Sequence, residues 1–140
     1  MEAGLIGLGK MGLHIAMNMQ SSGIRAYGYD IQTGPRKQAK AKGIPVVQTL
    51  QELIAALQKP RIIWLMLPAG DITESMVHQL AELLEEGDYV IDGGNSFYRD
   101  SIRNYEFLKK KKIHFYDAGT SGGIRGALEG EIGRASCRER

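Results

Sequence analysis

A glycine pattern near the amino terminus constrains this chain more than any other feature. It lies between residues 3–8, an apolar run typical of a buried strand, and residues 11–22, whose apolar side chains recur at helical spacing. Glycines at such a junction allow a tight turn and a close approach of the backbone to a pyrophosphate, which the helix N-terminus attracts. We therefore predict a phosphate-binding loop that consists of Gly7, Leu8, Gly9, Lys10, Met11 and Gly12.

An acidic residue follows at the distance expected in dinucleotide-binding proteins. Asp30 ends a second predicted strand, residues 25–30, and lies 18 residues after Gly12. A carboxylate about 20 residues beyond the glycine loop accepts hydrogen bonds from the adenosine ribose, and it would repel a 2′-phosphate there. The two signals together predict a dinucleotide site that prefers NAD to NADP. Two alternatives stay open: Asp30 as a loop or capping carboxylate, and Arg36 with Lys37 as ligands of a phosphate.

Strands and helices alternate along the rest of the chain. The strongest strand is the apolar run at residues 61–67, which is typical of a sheet with helices on both faces. The other strands are predicted at residues 3–8, 25–30, 89–92 and 114–118, with a short edge strand at residues 45–48. This alternation predicts a Rossmann-type α/β fold: a single, doubly wound, three-layer αβα domain with a parallel sheet. Its ligand crevice is expected at the carboxyl ends of the strands.

Capping and turn residues indicate where the helices between these strands begin. Thr49 with Glu52, and Asp71 with Glu74, have the spacing of capping boxes and indicate two helix starts. A turn cluster at residues 33–35 is expected to end the second strand before a polar helix begins. That polar helix and the last two helices are predicted to end at residues 43, 85 and 112.

Composition and charge exclude several classes of function. The chain has 18 basic and 16 acidic residues, a net charge of +2 that is too weak to indicate nucleic acid or a membrane surface. Its only cysteine, Cys137, can form no internal disulfide, and no apolar stretch is long enough to span a bilayer. The histidines His14, His78 and His114 have no cluster of Cys or carboxylates around them that would bind a metal. We expect a cytoplasmic protein with small-molecule partners.

Three polar, glycine-containing segments fall at the ends of successive predicted strands. They cover residues 66–70, 91–96 and 117–123. Because the carboxyl ends of parallel strands share one edge, the three segments should rim the same crevice. Glycine gives close backbone approach, and Asn and Ser give short neutral hydrogen-bonding groups, which suits a nicotinamide and a hydroxylated or phosphorylated substrate. The alternative is a set of ordinary turns, in which the same residue types dominate.

The combination of these motifs closely resembles the N-terminal coenzyme domain of decarboxylating 6-phosphogluconate dehydrogenases over about residues 3–130. The resemblance is carried by the glycine loop, the run from Ile91 to Ser96 with Tyr98-Arg99-Asp100, and Ser121-Gly122-Gly123. It implies that the glycine loop binds pyrophosphate and that Asn95 contacts both coenzyme and substrate. It also implies a coenzyme wall made of Leu67, Pro68 and Ala69, and a 6-phosphogluconate site made of Ser121, Gly122 and Gly123.

Two departures from the family pattern bear on the coenzyme and on activity. Where NADP-using members carry Asn-Arg-Thr, this chain has Asp30, Ile31 and Gln32, which resembles the NAD-preferring branch. The catalytic lysine of the family, with its assisting Asn and Glu, comes from a later helical region that has no counterpart here. We therefore expect no catalytic residue in this fragment, which should bind NAD but turn over negligibly.

The resemblance also implies a domain organisation. Residues 1–131 are predicted to form the dinucleotide-binding domain, and the charged residues 132–140 to be a non-native or disordered tail. The family oxidises 6-phosphogluconate, a phosphorylated sugar acid, and decarboxylates it to ribulose 5-phosphate. Its members are dimers built largely through the helical domain, so we expect a homodimeric parent protein and a monomeric fragment.

Three other functions fit parts of the sequence. A β-hydroxyacid dehydrogenase of the 3-hydroxyisobutyrate type shares the glycine loop and the later Ser-Gly-Gly, although the Gly93-Gly94-Asn95-Ser96 run argues against it. An S-adenosylmethionine methyltransferase also combines a glycine-rich turn with an acidic end of the second strand. A non-enzymatic redox sensor would use the NAD site to regulate a partner.

Overall fold

Five parallel strands form the sheet in residues 1–119, the part of the chain that the computed structural model describes. The strands are β1 (Glu2–Ile6), β2 (Arg25–Tyr29), β3 (Ile62–Leu65), β4 (Tyr89–Asp92) and β5 (His114–Asp117). Their order across the sheet is β2-β1-β3-β4-β5, and every neighbouring pair is parallel. The direction of winding reverses between β1 and β3, which places a ligand crevice beyond the carboxyl ends of these two strands.

Helices cover both faces of this sheet. They are α1 (Lys10–Ser21), α2 (Thr33–Ala41), α3 (Leu50–Ala56), α4 (Asp71–Leu83) and α5 (Tyr98–Lys109). None of these helices, within the described part of the chain, is long and apolar enough to cross a membrane.

Two apolar cores separate the three layers. Residues of α3, α4 and α5 pack on one face of the sheet, and residues of α1 and α2 pack on the other. The neighbours Leu5 and Ile6 in β1 are both almost fully buried but belong to opposite cores, since successive side chains of a strand point to opposite faces. Burial of each such side chain stabilises the fold by about 1.5–3 kcal/mol. The predicted three-layer αβα architecture is confirmed.

The segment at residues 45–48 does not form the predicted edge strand. It makes one parallel bridge, between Val46 and Gly28 of β2. The Gly28 amide donates to the Pro45 carbonyl oxygen at 2.8 Å, and the Val47 amide donates to the Gly28 carbonyl oxygen at 3.0 Å. Pro45 has no amide hydrogen to contribute to a longer ladder.

One of the two predicted capping boxes is confirmed. Thr49 is the N-cap residue of α3, and its Oγ1 accepts from the Glu52 amide at 3.1 Å. The Glu52 carboxylate reaches back to the amide of the residue before Thr49, at 2.9 Å. The box predicted for Asp71 and Glu74 is wrong, because Gly70 is the N-cap residue and both acids lie in the first turn of α4. There the two carboxylates interact favourably with the helix dipole.

Residues 33–35 are not a turn between the second strand and the polar helix, as predicted, but form the first turn of that helix. Gln32 is the N-cap residue of α2, and Pro35 lies in the first helical turn. Proline is tolerated there because the amide hydrogen that it lacks would have no partner within the helix.

Candidate coenzyme site

The loop between β1 and α1 contains two glycines that leave no room for a side chain. Gly7 has a φ of 98°, and a Cβ atom on it would lie 2.2 Å from the carbonyl oxygen of Met66. A Cβ atom on Gly12 would lie 1.8 Å from the carbonyl oxygen of Gly7. Gly9 differs, because nothing lies within 4 Å of a Cβ atom placed on it. The loop is thus tightly packed at Gly7 and Gly12 and open at Gly9.

The start of α1 provides donors for an anion. Gly9 is the N-cap residue, so no side chain caps the first turn, and that turn contains no acidic residue. Gly9 and Lys10 are both exposed. The first amide groups of a helix have no partner within the helix, and with the helix dipole they bind negatively charged groups. The open space at Gly9 and the uncapped first turn fit the pyrophosphate of a dinucleotide.

Asp30 directly follows β2 and stabilises the glycine loop. Its Oδ2 accepts from the Leu8 amide at 2.9 Å, and its Oδ1 accepts from the Gln32 amide at 2.8 Å. These contacts match the loop-carboxylate alternative, but they do not exclude the ribose role, because each carboxylate oxygen can accept a second hydrogen bond. Ile31 and Gln32 are exposed beside it. Asp30 therefore links the first two βα junctions and keeps acceptor capacity for a ligand.

A cavity of about 310 Å³ opens beside this carboxylate. Four of the residues predicted to bind the coenzyme line it, namely Gly7, Asp30, Ile31 and Leu67. Its walls are largely apolar, and the Ile31 side chain is 84% exposed. An exposed apolar wall next to a carboxylate is suited to an adenosine, whose base is flat and apolar on its faces and whose ribose is polar.

The cavity also includes residues from α4 that the sequence analysis did not assign to the coenzyme. Asp71 and Ile72, at the start of α4, line it together with residues further along that helix. Ile72 is 54% exposed, although it is a large apolar side chain. The signal in the sequence was the position of both residues directly after a strand-end segment, where a helix start faces the crevice.

The turn after β3 is only partly in the cavity. Leu67 lines it, whereas the predicted coenzyme residues Pro68 and Ala69 are exposed and are not among its lining residues. The carbonyl oxygen of Pro68 accepts from Oγ1 of the buried Thr73 at 2.8 Å, which fastens this turn to α4.

The loop after β4 packs against the same turn. A Cβ atom on Gly94 would lie 2.4 Å from the carbonyl oxygen of Leu67. The next residue, Asn95, is exposed and has a φ of 57°. Asn95 does not line the 310 Å³ cavity, but its loop contacts the backbone of Leu67, which does. The three strand-end loops after β1, β3 and β4 therefore meet through backbone contacts, as the shared crevice requires.

Other predicted residues fall outside these contacts. Ser121, Gly122 and Gly123, and the tail at residues 132–140, lie outside the described residues. In residues 1–119 no group of three or more His, Cys, Asp and Glu could hold a metal ion. Two of the histidines stack on aromatic rings, His78 on Phe107 at 3.9 Å and His114 on Tyr89 at 4.5 Å between ring centroids.

Comparison with known proteins identifies the family. Residues 2–137 match the family described as the NAD binding domain of 6-phosphogluconate dehydrogenase. The chain belongs to this family. The match covers the glycine loop, Asp30 and the β4 loop, so the predicted membership in this family, as its coenzyme-binding domain, is confirmed. It favours the dehydrogenase over the methyltransferase among the functions that the sequence left open.

Several relatives carry the name of the whole enzyme. The chain is 44% identical over 131 residues to a decarboxylating 6-phosphogluconate dehydrogenase of Bacillus licheniformis. It is 41% identical over 131 residues to the NAD(+)-dependent enzyme of Bacillus subtilis, and 36% identical over 133 residues to the NADP(+)-dependent enzyme of the same organism. These matches cover 91%, 91% and 92% of this chain but 28% of each relative. The chain thus spans less than a third of the length of these relatives.

Solved structures agree with this assignment. The 6-phosphogluconate dehydrogenase of Plasmodium falciparum superposes with a TM-score of 0.87 at 30% identity, over 91% of this chain and 29% of that chain. A 3-hydroxyisobutyrate dehydrogenase of Mycobacterium tuberculosis superposes with a TM-score of 0.84 at 23% identity, over 91% of this chain and 43% of that one. The second likeness shows the shared fold alone.

Proposed function

We propose that this chain is the coenzyme-binding part of an enzyme that uses NAD to oxidise and decarboxylate 6-phosphogluconate to ribulose 5-phosphate. One observation carries the coenzyme part of the proposal: the open, uncapped start of α1 lies beside a cavity that Gly7, Asp30 and Leu67 line together. The family membership and the named relatives support the substrate and the reaction.

The dinucleotide would lie along the carboxyl edge of the sheet. Its pyrophosphate would accept hydrogen bonds from the first amides of α1, and its adenosine would occupy the cavity between Ile31 and Ile72. Asn95, on the far side of the Leu67 turn, would then face the nicotinamide end and the substrate. This arrangement leaves four predicted coenzyme residues without a direct contact. Leu8 is buried in the core and its amide donates to Asp30, Gln32 does not line the cavity, and the exposed Pro68 and Ala69 are expected at the rim.

The cavity favours NAD over NADP by its charge. Two carboxylates, Asp30 and Asp71, line it, and a 2′-phosphate on the adenosine ribose would meet both. The Arg36 guanidinium, which the sequence offered as a phosphate ligand, donates instead to the Gln48 carbonyl oxygen and to Thr33 Oγ1, each at 3.1 Å. The relatives include both NAD- and NADP-dependent enzymes, so this preference depends on these residues rather than on the family.

The chemistry would be shared with parts of the parent protein beyond this chain. A nicotinamide held at this edge would supply the hydride acceptor for oxidation at C3 of the sugar acid. Ser121, Gly122 and Gly123 would bind the phosphorylated substrate together with Asn95. The general base, a lysine in the family pattern, belongs to the helical region, so we expect residues 1–131 to bind coenzyme without turnover. The parent would be a dimer in the cytoplasm and this fragment a monomer.

Calorimetric titration of the purified chain with NAD, NADP and S-adenosylmethionine tests the proposal. We expect NAD to bind most tightly, NADP about tenfold or more weakly, which corresponds to 1.4 kcal/mol, and S-adenosylmethionine not at all. Binding of S-adenosylmethionine alone would contradict the coenzyme assignment. Binding of NAD by a parent protein that has no activity on 6-phosphogluconate would leave the coenzyme site in place but overturn the proposed reaction.

A further inference from the structure

The loop after β4 holds Asn95 in an uncommon backbone conformation. Its φ of 57° is in the left-handed region, which residues other than glycine rarely adopt and which Asn tolerates better than most. Asn95 is exposed, so its own side chain does not anchor the loop in a core. Contacts made by its neighbours must therefore maintain this conformation.

Asp92, the last residue of β4, contacts the residues on both sides of Asn95. It is fully buried, and its Oδ1 accepts from the Gly94 amide at 2.9 Å. Its Oδ2 accepts from the Ser96 hydroxyl. The two donors are the residues on either side of Asn95, so one carboxylate holds the loop before and after the residue that projects from it.

The loop also packs against the end of β3 and the turn that follows it. A Cβ atom on Gly93 would lie 2.6 Å from Trp64 Nε1 and 2.7 Å from Met66 Sδ, and one on Gly94 would lie 2.4 Å from the Leu67 carbonyl oxygen. Gly93 and Gly94 therefore pack closely on this segment, and a side chain at either position would displace its neighbours. The loop is held by the Asp92 carboxylate and by this packing.

Burial of a carboxylate is costly unless its oxygens are hydrogen-bonded or paired with a cation. Asp88, at the other end of β4, is also buried and is paired with the Arg61 guanidinium. Within residues 1–119 the donors to the Asp92 carboxylate are instead uncharged, and both belong to the loop that carries Asn95. This difference indicates that Asp92 acts on the loop rather than on the packing of the sheet.

We propose that Asp92 is a positioning residue, which holds the β4 loop so that the Asn95 amide faces the nicotinamide end of the bound dinucleotide. The inference rests on the proposed function, because it takes the ligand and its direction from there. It extends the site by a residue that touches neither coenzyme nor substrate. Ser96 contributes to the same positioning, because its hydroxyl donates from the loop to the Asp92 carboxylate.

Saturation-transfer NMR with NAD and the 140-residue chain tests this role, because the two ends of the same bound molecule can be compared. The measured quantity is the ratio of saturation received by the nicotinamide protons to that received by the adenine protons. We expect Asp92→Ala to lower this ratio by about threefold or more, the scale of one lost neutral hydrogen bond, and Asn95→Ala to do the same. Asp92→Asn should largely restore it, because its oxygen can accept from Gly94 and its amide can donate to Ser96.

Two further variants keep the test decisive. Ser96→Ala removes one of the two contacts with Asp92 and should lower the saturation ratio by a smaller factor. It replaces Asp92→Ala in the test if that variant does not fold. Asp88→Asn disturbs the buried carboxylate at the other end of β4 and should leave the ratio unchanged. An unchanged ratio in Asp92→Ala, or in Ser96→Ala where Asp92→Ala is unfolded, would overturn the inference while NAD still binds. If the unmodified chain transferred saturation to neither the nicotinamide nor the adenine protons, the proposed coenzyme-binding function itself would be overturned.

Discussion

The two ends of β4 carry buried carboxylates that are used in different ways. At the amino end, Asp88 accepts from the Arg61 backbone amide at 2.8 Å, from the Arg61 guanidinium at 3.1 Å and from the Glu85 amide at 2.9 Å. At the carboxyl end, Asp92 accepts from the loop residues Gly94 and Ser96. The first carboxylate is neutralised by a cation and joins strands to one another, whereas the second shapes a loop.

The same contrast holds for the glycines at the two edges. Gly87, at the amino edge, has a φ of 91° and nothing within 4 Å of an added Cβ atom, so it serves a turn. Gly7 and Gly12, at the carboxyl edge, pack directly on neighbouring backbone. Within residues 1–119 both edges border open space, since a cavity of about 430 Å³ lies beside Glu86, Gly87 and His114 at the amino edge. The carboxyl-edge cavity of about 310 Å³ differs because the start of α4 and the closely packed glycine loop line it together. The difference teaches that close backbone packing around an open cavity, rather than the residue types alone, marks the binding edge.

The largest effect is expected from a substitution at the amino edge of the sheet, which tests whether the two edges have separate roles. Asp88→Asn leaves the guanidinium of Arg61, whose side chain is 14% exposed, without its charge partner. Loss of one partner of a buried pair costs about 3–5 kcal/mol, so the free energy of unfolding should fall by that amount. Urea denaturation measures the loss, and calorimetry below the unfolding transition should give an unchanged Kd for NAD. A Kd that rises with the loss of stability would show that the two edges are not independent.

The next largest effect is expected at the carboxyl edge from Gly12→Ala. The new Cβ atom would lie 1.8 Å from the Gly7 carbonyl oxygen, so the loop must move, at a cost of about 1–3 kcal/mol in stability. NAD binding should be lost at the same time. Gly34→Ala is the matched control, because nothing lies within 4 Å of its added Cβ atom in the first turn of α2. Retained NAD affinity in Gly12→Ala would contradict the assigned role of the loop.

A change of charge in the cavity sharpens the comparison further. The double variant Asp30→Asn with Ile31→Arg removes a carboxylate and adds a guanidinium where a 2′-phosphate would lie. The ratio of NAD to NADP affinity should shift towards NADP by about tenfold or more, or 1.4 kcal/mol. The amide oxygen of Asn can still accept from the Leu8 amide, although its NH2 group cannot replace the contact with Gln32. The loop should therefore keep its link to residue 30, whereas Asp30→Ala should weaken both coenzymes. An unchanged ratio in the double variant would refute the specificity role of Asp30.

The smallest effect is expected from the apolar wall on α4. Ile72→Ala removes a side chain that is 54% exposed, so the stability of the protein should change by less than about 0.5 kcal/mol. The affinities for NAD and for ADP-ribose should fall by an equal factor of about threefold, because both carry the adenosine. Fluorescence or calorimetric titration with both ligands measures this, and a loss confined to NAD would place Ile72 at the nicotinamide end instead.

The architecture was predictable because its causes are local. Continuous apolar runs, apolar side chains at helical spacing and the glycines of the first junction indicated a parallel sheet covered on both faces. Helix starts were less secure. The spacing of Asp71 and Glu74 is that of a capping box, but the φ of 95° at Gly70 makes that glycine the N-cap residue instead. Sequence spacing alone cannot distinguish an N-cap from the first helical residue.

The site was predictable only in part. Gly7, Asp30, Ile31 and Leu67 share a cavity because parallel strands end at one edge, which topology alone supplies. The hydrogen bond from the Leu8 amide to Asp30 depends on the register between two βα junctions. The contribution of Ile72 depends on how α4 is rotated against the sheet. Such distances between segments remote in sequence are not encoded in any local pattern.

The central claim is that the first amides of α1 bind the pyrophosphate of a dinucleotide. Titration of the ¹⁵N-labelled chain with NAD, followed by amide NMR, tests it most directly. The account predicts large shifts of the Gly9, Lys10 and Met11 amide resonances, at a midpoint equal to the calorimetric Kd, and no shift at Gly87 on the amino edge. Saturable NAD binding that leaves the three α1 resonances unmoved would contradict it.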